Sequence, residues 1–315
     1  MASLAVSLGP LELRNPILSA SGTFGHGLEM RAFAPPEALG GLVGKTVTLR
    51  PRPGNAHPRI CETEAGLLNS IGLENRGLEA YVRDVLPELF EADTVVVTNI
   101  GAERAEEFGE LAARLDGEAA VDALEVNLSC PNVQGGKLPF ATSPRMAERV
   151  ISLVRASTGK PVWAKLSPNV SDIAEMARAV EAAGADGITA VNTLLGMAVH
   201  WQSRKPGLAS VQGGYSGTGI KPVALRCAWA CAQVVAIPVV GCGGIASADD
   251  VLEFLVAGCR AVQVGTACFS DPSRLARLPS EVSALLDAAG VVALTDLIGT
   301  LRAPEALAAA PGAPS

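Results

Sequence analysis

The sequence predicts an α/β fold, a single-domain (β/α)8 TIM barrel, on three observations. Short apolar, β-branched runs recur along the chain, and amphipathic stretches of helical length separate them. No linker or break in composition interrupts that alternation, and eight successive βα units favour a closed barrel over an open doubly wound sheet. At 315 residues, 49% hydrophobic and 18% charged, the chain is long enough to bury a sizeable core.

Taken in order, the expected strands are Ile17 to Ala20, Leu42 to Thr46, Thr94 to Asn99, Ala123 to Asn127, Val162 to Leu166, Gly187 to Val191, Val239 to Cys242 and Ala261 to Val264. Helical candidates between them are Glu74 to Phe90, Ala102 to Leu115, Ser143 to Ser157, Ser171 to Ala183, Pro222 to Val235 and Ala248 to Ala257. Gly184 and Gly258 follow two of these as C-cap glycines should. Two stretches are too long to be plain connections, Val47 to Leu73 and Thr193 to Ile220, and both follow strands, where a barrel carries its active site. The expected division is a catalytic domain over residues 1–302 and an Ala- and Pro-rich tail over 303–315.

Composition excludes several function classes. With 25 Lys and Arg against 32 Asp and Glu the net charge is -7, which lacks the basic excess that nucleic-acid binding requires. Seven scattered cysteines in a chain of this size point to free thiols in a reducing compartment, so the cytoplasm is expected. The first residues have no signal-peptide pattern, and no apolar run reaches membrane-spanning length.

The expected strand ends carry a convergent polar set: Ser19 and Ser21, Lys45 and Thr46, Asn99, Asn127, Lys165, Asn192 and Thr193. Lys and Asn are poor strand formers, so their recurrence at one register asks for a reason beyond propensity. Gly243, Gly244, Gly265 and Thr266 follow the last two strands, where barrels frequently bind phosphate through backbone N–H groups. A rival exists, because Gly241, Gly243 and Ala246 match a relaxed dinucleotide fingerprint. That motif expects a carboxylate about twenty residues on, and Arg260 to Thr266 has none.

Glu125-Val126-Asn127-Leu128-Ser129-Cys130-Pro131-Asn132, followed by Gly135 and Gly136, leaves a strand and enters a loop. A thiol in such a place serves as nucleophile or general base on a mobile lid, or is simply a structural cysteine before a turn. Asn127 to Asn132 resembles the signature of dihydroorotate dehydrogenases. Other segments agree in order and spacing: Ala20 to Gly25, Gly44 to Thr46, Asn69 to Asn75, Lys165 to Asn169, Gly214 to Gly217 and Ile220 to Pro222. Members of that family are FMN-binding barrels that oxidise dihydroorotate to orotate in pyrimidine synthesis.

The resemblance implies roles. Cys130 is the base that removes the acidic proton while hydride passes to flavin N5, and having Cys rather than Ser here marks a soluble class. Side-chain amides suit a planar pyrimidine with alternating donors and acceptors, and Asn69, Asn127, Asn132 and Asn192 offer them. Ser70, Ile71, Gly72, Leu73 and Thr193 complete the expected substrate pocket, with Lys45 as a cation for the substrate carboxylate or the flavin edge. Lys165 is the cation expected beside flavin N1 and O2, where reduced flavin gathers negative charge. Ser21, Thr46, Asn99, Val191, Gly217, Gly243, Gly244, Gly265 and Thr266 complete the FMN contacts, the last four through phosphate.

Other conspicuous residues read as structural. His26, His57 and His200 lack metal-ligand spacing, and no metal is expected. Cys227 and Cys231 share a helix face without the cysteine run an iron–sulfur cluster needs. Trp163 and Trp229 read as packing residues and Trp201 as an interface candidate. Electrons must therefore leave through another molecule. Phe24 to Glu29 and Pro131 to Gly136 resemble the NAD-linked class, whose catalytic chain dimerises within a heterotetramer alongside a partner carrying FAD and a 2Fe–2S cluster. A fumarate-linked homodimer, a dihydropyrimidine dehydrogenase and a tRNA-dihydrouridine synthase are the alternatives. Leu138 to Ser143 departs from the family pattern after the glycines.

Overall fold

A computed structural model describes residues 2–128 and 139–302. Eight parallel strands, Ile17–Ser19, Gly41–Val43, Val95–Ile100, Ala123–Asn127, Val162–Leu166, Gly187–Ala190, Val239–Cys242 and Ala261–Val264, pair in chain order, and the last returns to the first to close the barrel. All eight expected strands are present. Most of their residues are apolar and buried, as strands between a filled interior and an outer helical layer require, with a few buried polar side chains among them. Trp163, Phe108 and Phe254 are among the largest fully buried side chains, each stabilising the fold by up to about 3 kcal/mol.

The helices differ from expectation mainly at their ends. Ser143, Asp172 and Ser247 cap the helices Pro144–Arg155, Ile173–Ala182 and Ala248–Val256 by accepting from backbone N–H groups inside the first turn. The stretch read as one helix from Glu74 to Phe90 starts only at Leu78 and divides into Leu78–Asp84 and Leu86–Phe90. Asn75 holds the chain before it in a loop by bonding to Thr48, Leu73 and Gly77, and Pro87 removes a donor at the division. The second strand stops at Val43, short of Thr46, because the Lys45 N–H bonds to the Gly25 carbonyl instead of to the ladder. Arg274–Ala288 is a helix that the sequence reading did not place, and it runs on through Pro279. The hairpin Val6–Leu8 and Leu11–Leu13 is likewise additional; it buries Leu8 and Leu13.

The two long stretches turn out to belong together. Ile60–Thr63 and Gly66–Asn69 come from the first, and Leu194–Met197 and Gln212–Ser216 from the second. They form one four-stranded antiparallel sheet in which Gly66–Asn69 pairs with Gln212–Ser216. By register Ile60, Asn69, Gly214 and Leu195 lie in one row and share a face. Close approach of the central strands requires glycine: a Cβ on Gly66 would lie 2.0 Å from the Ser216 carbonyl oxygen.

Candidate active site

A cavity of about 810 Å³ opens at the C-terminal ends of the barrel strands, where this fold places its active sites. The four-stranded sheet contributes Ile60, Glu62, Leu67, Asn69 and Ser216 to its wall, so the insertions roof the site that the barrel floors.

The barrel supplies the candidate residues from separate strands. Ser21, Lys45, Thr46, Asn99, Asn127 and Lys165 line the cavity. So do Val191, Asn192 and Thr193 after the sixth strand, and Gly217, Gly243, Gly244, Gly265 and Thr266 towards the last two. Asn69, Ile71, Gly72 and Leu73 reach it from the first insertion. Ser70 does not; just past the end of the strand Gly66–Asn69, its side chain is fully buried and its N–H donates to the Arg59 carbonyl. Cys130 and Asn132 lie outside the described residues, as do the glycines of that loop and Leu138.

Hydrogen bonds order the polar rim. Asn192 Nδ2 donates to Asn127 Oδ1 at 3.2 Å, and Asn192 Oδ1 accepts from the Thr193 N–H at 2.8 Å. Asn69 Nδ2 donates to the Gly214 carbonyl at 3.2 Å, which ties the two central strands of the roof. Thr266 Oγ1 donates to Ser216 Oγ at 2.8 Å. These contacts fix the orientation of the amides along the rim.

The floor carries charge. Lys165 Nζ donates to Gln263 Oε1 at 3.1 Å and lies 3.5 Å from Glu125 Oε1. Burial drives the Lys165 ammonium toward neutrality, but Glu125 and then Cys242 oppose it, and its pKa ends above the ordinary lysine value. Burial pushes the Cys242 thiol up, with Lys165 pulling against it, so this cysteine on the cavity wall stays protonated. His26, behind Lys45, has its pKa lowered mainly by burial, and its Nδ1 has no partner among the described residues.

At the far end, Gly244 has φ +78, and a Cβ there would lie 2.6 Å from Lys221 Cβ and 2.7 Å from the Lys221 backbone. The neighbouring N–H groups of Ala246 and Ser247 donate to Asp250 Oδ2, and Asp250 Oδ1 receives Lys221 Nζ at 2.6 Å. The glycine turn is thus pinned to the start of the helix Lys221–Ala232.

The model of the family described as dihydroorotate dehydrogenase matches residues 3–286. The chain belongs to the dihydroorotate dehydrogenase family. Curated relatives named dihydroorotate dehydrogenase B (NAD(+)), catalytic subunit, agree along nearly the whole length. The protein of Geotalea daltonii is 48% identical over 95% of this chain and 98% of its own, and that of Solidesulfovibrio magneticus is 49% identical with the same coverage. A crystal structure of the Eimeria tenella dihydroorotate dehydrogenase in complex with ferulenol superposes with a TM-score of 0.80 at 22% identity. It covers 95% of this chain and 88% of that one, and it supports the barrel fold.

No role was assigned from the sequence to Glu125, Thr189 and Gln263, which lie behind and beside Lys165. The available signal was a polar side chain in the middle of three apolar strands. Cys227 and Cys231 are buried, as is Trp163, while Trp201 is 76% exposed. No helix among the described residues is long and apolar enough to cross a membrane.

Proposed function

We propose that the chain is the catalytic subunit of an NAD-linked dihydroorotate dehydrogenase that oxidises dihydroorotate to orotate in pyrimidine synthesis. The observation that carries this reading is the joint lining of one cavity by a buried lysine, a set of amides and two glycine turns, in a chain whose relatives bear that name from end to end.

FMN fits the residues present. The cavity has the size of a cofactor-plus-substrate site. Asn99 Oδ1 is buried on its floor without a partner among the described residues, an acceptor waiting for a donor. Gly243, Gly244, Gly265 and Thr266 would take the phosphate, with Ser21, Thr46, Val191 and Gly217 along the remaining length. Bound there, FMN supplies the hydride acceptor at N5.

The chain's own groups do the rest. Asn69, Asn127, Asn132 and Asn192 would hold the substrate ring by its amide edges, and Lys45 would meet its carboxylate. Cys130 would take the acidic proton, for which its thiol needs only a modest depression from about 8.5. Lys165 presents positive charge where reduced flavin accumulates negative charge. The four-stranded roof shields these steps from water.

Electrons would pass to NAD through a partner subunit carrying FAD and a 2Fe–2S cluster, with this chain dimeric inside a heterotetramer in the cytosol. Exposed Leu195, Met197, Val199 and Trp201 on the second insertion support a self-association face. The test is an anaerobic absorbance spectrum of the FMN-loaded chain. Bleaching by dihydroorotate, with slow recovery in NAD alone or fumarate alone, is expected. A correctly bound flavin that dihydroorotate does not bleach would overturn the substrate assignment, and rapid recovery with fumarate would overturn the NAD-linked class.

A further inference from the structure

Five polar side chains from five barrel strands meet behind the cavity floor. Glu125 Oε1 accepts from Asn99 Nδ2 at 2.6 Å, and Glu125 Oε2 accepts from Thr189 Oγ1 at 2.6 Å and from Gln263 Nε2 at 2.5 Å. Lys165 Nζ lies between Gln263 Oε1 and Glu125 Oε1. Asn99, Lys165 and Gln263 line the cavity, whereas Glu125 and Thr189 stand one layer deeper. Glu125 is fully buried.

A carboxylate in that position is costly to desolvate, and replacing such a pair by apolar residues is often neutral or stabilising. Three donors grip both oxygens, so the carboxylate cannot turn away from the lysine. Among the described residues, Glu125 is the group that most strongly favours the Lys165 ammonium. Without Glu125 the largest influence opposing burial is lost, and burial favours the neutral form of a lysine.

We propose that Glu125 is a positioning residue for the reaction, holding Lys165 as a fixed ammonium at the floor of the flavin site. Asn99, Thr189 and Gln263 serve the same end by orienting the carboxylate. This rests on the reading of the cavity as an FMN site, and it adds a part that touches neither flavin nor substrate. The floor charge is then a property of a pair, and the deeper member decides whether the upper one remains a cation.

The test compares the FMN-loaded wild type with Glu125→Gln, Lys165→Met and the double variant, at about pH 8, where an unsupported buried lysine is largely neutral while a free one is charged. The midpoint potential of the flavin is read by spectroelectrochemical titration. In Glu125→Gln the equilibrium ratio of reduced to oxidised flavin should fall at least tenfold, about 30 mV for a two-electron couple. Lys165→Met should fall similarly, the double variant no further, and Glu125→Asp should lie closer to wild type than Glu125→Gln. An unchanged or raised potential in Glu125→Gln overturns the proposal, as does a further fall in the double variant, which would mean that Glu125 acts without Lys165.

If Glu125→Gln does not fold, the double variant, which leaves no unpaired charge, should fold, and its failure to do so overturns the pairing. Wild-type chain that does not bind FMN, or whose bound flavin dihydroorotate does not reduce, contradicts the functional reading instead. A wild type that does both while Glu125→Gln matches its potential contradicts only this inference.

Discussion

The Lys165 ammonium and the Glu125 carboxylate face each other at 3.5 Å inside the barrel, both almost wholly removed from solvent. Breaking a buried pair from one side leaves the other charge uncompensated and costs about 3–5 kcal/mol. Lys165→Met should therefore destabilise the flavin-free chain by that amount in urea denaturation. Glu125→Gln/Lys165→Met should recover part of the loss. Equal stability of Lys165→Met and wild type would show that the pair contributes nothing to the fold.

Removal of the base should separate chemistry from binding. Cys130→Ala is expected to keep a full complement of FMN while flavin reduction by dihydroorotate slows by at least about a hundredfold, the usual scale for a lost general base. Stopped-flow absorbance measures it under anaerobic conditions. Reduction at the wild-type rate would remove Cys130 from the proton transfer.

The contrast between these two residues shows what a sequence can and cannot display. The barrel was legible because eight apolar strands each satisfy a purely local pattern, and the strand-end polar residues because they break it. The roof was not: Gly66–Asn69 and Gln212–Ser216 pair across almost 150 positions of chain, and their glycine-rich strands have little of the β-branched signal. Glu125 escaped for a different reason. A carboxylate inside an apolar strand becomes intelligible only when Lys165, Thr189 and Gln263 arrive from other strands. Ser70, which the motif groups with Asn69, sits just past the end of the strand Gly66–Asn69 and off the cavity lining, a separation that adjacency in sequence does not display.

The glycine turn should tolerate no side chain. At Gly244 an added Cβ meets the Lys221 backbone at 2.7 Å and the backbone has φ +78, so Gly244→Ala should cost about 1–3 kcal/mol from conformation alone and also weaken FMN binding. Gly290→Ala is the control, with φ +70 but nothing within 4 Å. It should carry only the conformational cost and leave FMN affinity unchanged. Equal FMN affinity in the two variants would separate Gly244 from the phosphate end of the site.

Asp250 gives the same turn a pH dependence. Burial raises its pKa, but the Lys221 ammonium and the Ala246 and Ser247 groups that bond to it outweigh burial, and the value falls below 3.8. A carboxyl depressed on folding stabilises the native state above its unfolded pKa, and that contribution is lost as pH falls through the lower folded value. Asp250→Asn should therefore melt below wild type at pH 6, by about 2–4 °C for each kcal/mol lost. The gap should narrow steadily below about pH 4, as wild type loses the same charge. Melting curves by circular dichroism at a series of pH values give the answer, and a gap that stays constant into acid would show that the Asp250 charge does not hold the turn.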